Sequence, residues 1–65
     1  MTTVEKILDL ARRKGFTRAE LADLLSIAEH ILDDWRQGLR EPTIRDIILI
    51  SEYFSVTTDY LLKDE

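Results

Sequence analysis

Apolar residues recur at helical spacing in five separate runs along this chain. Val4, Ile7, Leu8 and Ala11 fall at i, i+3, i+4 and i+7, one face of a first helix that stops at Gly15. Leu21, Ala22 and Leu25 give the inner face of a short second helix, and Ile31, Leu32 and Trp35 that of a third ending near Gly38. Ile44, Ile47, Ile48, Ile50 and Phe54 set out a fourth, and Val56 with Leu61 and Leu62 a short fifth. No strand alternation, internal repeat or flexible linker interrupts the series. The pattern predicts an all-α fold of five helices joined by short turns.

Polar residues between the runs mark where the helices begin. Thr2 with Glu5 and Thr17 with Glu20 are full capping boxes, in which threonine caps the first turn and glutamate reaches back to it. Thr43 and Asp46 repeat the spacing directly after Pro42, and the residue before a proline avoids the helical region, so a helix starting at Thr43 is well marked. The stretch Thr57-Thr58-Asp59-Tyr60 carries the pattern incompletely.

Composition narrows the function classes. At 65 residues the expectation is one domain over 1–65. A chain of that size buries only roughly 60% of its unfolded surface. With no cysteine and one histidine there is neither a disulfide framework nor an ordinary zinc site, so the core must supply the stability. No apolar run approaches the ~20 residues of a membrane span, and no signal pattern opens the chain, which makes a cytoplasmic location the expectation. No nucleophile–base pair, phosphate-cradling glycine loop or cofactor fingerprint is present, so neither an enzyme nor a cofactor is expected. Nine basic against thirteen acidic residues give a net charge of −4. That total works against a nucleic-acid ligand, but the charge on the contacting face decides.

Read in order, Phe16-Thr17-Arg18-Ala19-Glu20-Leu21-Ala22 resembles the opening of the motif's first helix in Cro/CI-type (XRE-like) helix-turn-helix regulators. Ser26-Ile27 occupies the turn, Leu32 and Trp35 take the buried positions of the recognition helix, and Gly38 closes it. Arg40, Pro42 and Thr43 match the link into the next helix, and Tyr53 to Leu62 is very similar to the closing segment of the family. The match covers nearly the whole chain in order and spacing. It implies a five-helix lambda-repressor-like domain, with the helix-turn-helix formed by helices 2 and 3 and a recognition helix over about 28–37.

Three departures from the family pattern bear on function. Ser26 stands where the family usually has glycine, and Ala28 where it has a capping serine or threonine. The spacing Ser26-x-x-Glu29 offers another capping box two residues earlier, so the start of helix three is open by about two residues. Ala11 and Arg36 replace both members of an arginine–glutamate pair common between helices one and three, which frees Arg36 to face outward. The residues that the resemblance assigns to the major groove are Ala28, Glu29, His30, Asp33 and Asp34, and three of these are acidic. A carboxylate reads a cytosine amino group but is repelled by phosphate. Arg18, Arg36 and Arg40 fall where family members commonly meet phosphate, and the amides near Thr17 add a helix N-terminus to that set.

The resemblance implies a sequence-specific DNA-binding domain of a transcriptional regulator, a repressor in type, with double-stranded DNA as partner. The alternative is a protein-interaction module that keeps the fold and has lost DNA affinity. Such a module would use Leu24 and Ile31, which with Leu49 are apolar where the family is polar and exposed. Regulators of this kind often pair on half-sites ~34–36 Å apart. Only Lys63, Asp64 and Glu65 follow Leu62, so a homodimer would use helices four and five, and a fragment of a longer regulator or a weak monomer are the other options.

Overall fold

The computed structural model describes residues 2–63 and contains α1 (Thr3–Arg13), α2 (Arg18–Leu25), α3 (Glu29–Gln37), α4 (Ile44–Tyr53) and α5 (Thr58–Leu62). No strand occurs among the described residues, and no helix there is long and apolar enough to cross a membrane. Three of the starts carry complete capping boxes. Thr2 Oγ1 accepts the Glu5 N–H at 3.2 Å and Glu5 Oε1 accepts the Thr2 N–H at 2.9 Å. Thr17 and Glu20 repeat this at 3.1 and 3.0 Å. Asp46, one methylene shorter, still closes both bonds with Thr43 at 3.2 and 3.0 Å. Thr43 is thus the extended cap residue, and the helix body starts one residue later at Ile44. Thr57 caps in one direction only, accepting the Tyr60 N–H at 3.0 Å.

The Glu5 and Glu20 boxes couple the fold to pH. Glu5 and Glu20 each accept a backbone N–H and are held below their ordinary value of 4.5 chiefly by that bond, with the threonine hydroxyl second. A carboxyl more acidic in the folded state stabilises the fold fully above its unfolded pKa, and that contribution is lost as pH falls through the folded value. The melting temperature is therefore expected to decline on acidification below about pH 5. The double variant Glu5→Gln/Glu20→Gln, which keeps an acceptor but cannot titrate, should show a shallower decline in circular-dichroism melts between pH 3 and 7.

All five helices contribute to one core. Ile7, Leu21, Leu25, Leu32, Ile50 and Leu61 are fully buried, and Trp35 is 3% exposed. Phe16, Tyr53 and Phe54 pack edge to face at 5.3–5.5 Å, fixing the α1–α2 turn against the end of α4. α5 has only five residues, too few to hold a helix alone, and α1 secures its end. Thr3 Oγ1 donates to the Leu61 carbonyl at 2.7 Å, and the buried Lys6 ammonium donates to the carbonyls of Tyr60 and Lys63. Those carbonyls carry the negative end of the α5 dipole, which accounts for a buried lysine there.

The inner stripe of α4 differs from the apolar pattern. Ile47, Ile50, Ser51 and Phe54 face the core, while Ile44 and Ile48 are 69% and 43% exposed. Apolar residues cover a wider arc of α4 than the core can meet, and Ile48 lies about 100° around the helix from Ile47. Leu62 is likewise exposed, since Leu61 takes the inward position of α5.

Candidate nucleic-acid interface

The turn between α2 and α3 sets how the motif is presented. Ser26 ends α2 in the left-handed region (φ 57°, ψ 42°), with its N–H on the Asp23 carbonyl and the Ile27 N–H on that of Ala22. Ile27 then packs against the core, and Ala28 is extended and begins α3 without any side-chain cap. The Ser26–Glu29 box anticipated from spacing does not form. A serine that ends α2 in this conformation lies outside the cap position, and α3 starts at Glu29 with Ala28 before it. Both departures from the family therefore carry a stability cost, about 1–2 kcal/mol for a left-handed serine and about 1 kcal/mol for the missing cap. Ser26→Gly and Ala28→Ser are each expected to stabilise by about 1 kcal/mol, the first net of glycine's added freedom in the unfolded chain. Each should raise the melting temperature by about 4–8 °C in thermal denaturation.

Leu32 and Trp35 fasten α3 to the core. On the opposite side, His30, Asp33, Asp34 and Gln37 share one stripe at i, i+3, i+4 and i+7. Ala28, Glu29, His30, Arg36 and Gln37 are exposed, while Asp33 and Asp34 are half-buried. Gln37 was not singled out from the sequence, although its spacing of seven from His30 placed it on this face.

The aspartates are not bare charges. Arg18 at the first position of α2 places Nη2 2.8 Å from Asp33 Oδ2. Arg40, beyond Gly38, places Nε 3.1 Å from Asp34 Oδ2. Its loop folds back on α3, the Leu39 N–H donating to the Asp34 carbonyl at 2.9 Å. Two residues assigned to bases are thus joined to two assigned to phosphate. Arg18 and Arg40 offset the charges of Asp33 and Asp34, while Glu29 and Arg36 are exposed on the same helix. Arg36 is exposed beside Ala11 at the edge of a cleft between α1, α2 and α3, where Leu8 and Phe16 supply apolar lining.

At the N-terminus of α2, the Thr17 and Glu20 amides are engaged by their own capping box. A phosphate arriving there would meet the next amides, those of Arg18 and Ala19. At the other end of α2, Arg45 Nη1 donates to the Leu25 carbonyl at 3.4 Å. Leu24, Ile31 and Leu49, apolar where the family is polar and exposed, are half-buried and pack against the core.

Comparison with known proteins places this arrangement. A helix-turn-helix family model matches residues 7–61. The chain is 30% identical over 66 aligned positions to the HTH-type transcriptional regulator ImmR of Bacillus subtilis (strain 168), covering 100% of this chain and 52% of ImmR. It is 34% identical over 61 positions to the HTH-type transcriptional activator BcrR of Enterococcus faecalis, covering 94% of this chain and 30% of BcrR. The chain thus spans about half the length of one relative and under a third of the other. It superposes on the P22 c2 repressor protein, solved in complex with synthetic operator 9T, with a TM-score of 0.81 at 20% identity, covering 100% of this chain and 98% of that one. The N-terminal DNA binding domain of SinR from Bacillus subtilis gives 0.78 at 23% identity, with 97% and 93% covered. These two likenesses establish the lambda-repressor-like fold, and the family match extends from α1 to α5. The chain belongs to the Cro/CI-type (XRE-like) helix-turn-helix family of transcriptional-regulator domains.

Proposed function

We propose that residues 1–65 act as one unit that binds double-stranded DNA for a transcriptional regulator, with α3 lying in the major groove. Ala28, Glu29, His30, Asp33 and Asp34 face the base edges, and Thr17, Arg18, Arg36 and Arg40 meet the phosphates on either side. The role is binding rather than catalysis, exercised in the cytoplasm where the DNA is. The observation that carries this reading is the seating of Arg18 and Arg40 on Asp33 and Asp34 at the outward side of α3, with Arg36 exposed at its edge. ImmR and BcrR are named as transcriptional regulators, and c2 was solved on an operator, which supports the same reading.

The test is a titration of the isotopically labelled domain with random-sequence duplex at low salt. Amide signals of α2, α3 and the Gly38–Glu41 loop should shift while those of α5 stay in place. Three phosphate contacts imply a log–log salt slope of about −3. Unmoved α2 and α3 signals at low salt would exclude the interface.

A further inference from the structure

The geometry points to Asp33 and Asp34 as positioning residues for the phosphate contacts, each carboxylate holding one arginine at a flank of α3 so that a single guanidinium bridges carboxylate and phosphate. This rests on the DNA-binding reading above and refines it. Of the five residues assigned to the bases, two turn to arginines, leaving Ala28, Glu29 and His30, with Gln37 on the same stripe, free for the bases.

Donor geometry supports bridging. A guanidinium carries five N–H donors in a fixed planar fork. Arg18 meets Asp33 through Nη2, which leaves Nε and Nη1 for a second anion. Arg40 meets Asp34 through Nε, which leaves both terminal amino groups. The arginine side chains stay open to an incoming strand, at 50% and 60% exposure, while the Asp34 side chain is 24% exposed and so the more fixed partner. The fold-back of the Leu39–Arg40 backbone onto Asp34 fixes the second arm independently of its ion pair.

Electrostatics points the same way. A bare carboxylate in the groove would face phosphates on both sides, whereas one paired with arginine presents little net charge. Each arginine that is already held loses less side-chain freedom on binding. In the free domain such exposed pairs contribute little to stability, so their variants should remain folded. Beside the DNA, where water is partly excluded, the same pairs strengthen.

A double-mutant cycle on Arg18 and Asp33 reads this directly, using fluorescence anisotropy of a random duplex at low salt. If the pair persists on DNA, Arg18→Ala uncovers the carboxylate as well as removing a contact. Its loss of affinity should then be about fivefold greater with Asp33 present than in combination with Asp33→Asn. Arg18→Ala should also lower the salt slope by about 1, which a merely structural change would not do. The Arg40→Ala and Asp34→Asn cycle should have the same sign. An additive cycle would overturn the bridging role. So would a reversed sign, in which Arg18→Ala does less harm with Asp33 present, because the carboxylates would then compete with phosphate for the arginines. Wild-type protein that binds no duplex at low salt would withdraw the DNA reading and this inference together, whereas binding with an additive cycle withdraws only the inference.

Discussion

Leu32→Ala is expected to remove about 3–4 kcal/mol of stability, a third or more of what the fold has. The side chain is 1% exposed and belongs to the helix that carries the interface. Truncation removes the transfer free energy of the lost carbons and adds the cost of the cavity, within a range of about 2–5 kcal/mol for such a change. A chain of this length has only about 3–10 kcal/mol in total. There is no disulfide, and stability rests on one core shared by five helices, so the loss falls on the whole fold. Urea unfolding followed by far-ultraviolet circular dichroism measures it. Leu39→Ala, at a residue 70% exposed, should stay within about 0.5 kcal/mol of the parent and serves as the control. Equal effects of the two substitutions would contradict the packing of α3.

The residues behind that result were legible in the sequence because burial repeats. Ile7, Ala11, Leu21, Leu25, Leu32 and Trp35 fall at helical spacing, and Thr2, Thr17 and Thr43 each sit three residues before their acid. Where apolar residues were in excess, the period could not say which would be used. Ile44 and Ile48 satisfied the same pattern as Ile47 and Ile50, and packing against the neighbouring helices selected only the latter. The turn was harder for another reason. Ser26-x-x-Glu29 is a valid local signal, yet the left-handed end of α2 overrode it. The least legible feature was the pairing of charges. Arg18 and Asp33 lie fifteen positions apart in sequence, and only the crossing of α2 and α3 brings them to 2.8 Å. Residue identity marked the α3 face as acidic, and the fold supplied the cations that balance it.

That balance sets the largest functional effect. Arg18→Ala/Arg36→Ala/Arg40→Ala is expected to lower affinity for duplex at low salt by about a hundredfold or more and to flatten the salt slope by about 3. The substitution takes the net charge from −4 to −7, that is −4 minus 3. It also strips Asp33 and Asp34 of their ion-pair partners while leaving Leu32 and Trp35 to hold the fold. A charge-matched variant separates contact from bulk repulsion. Leu62→Glu/Lys63→Glu lowers the net charge by the same three units at the end of α5, where Leu62 is 52% exposed. At the 0.1 M end of the salt series, where the Debye length is about 10 Å, charge at the end of α5 is largely screened from DNA on α3. The control should lose about threefold or less and keep most of its salt slope. Anisotropy titrations of both variants at several salt concentrations make the comparison. Equal losses would mean that affinity follows net charge alone, and the interface would have to be sought away from α3.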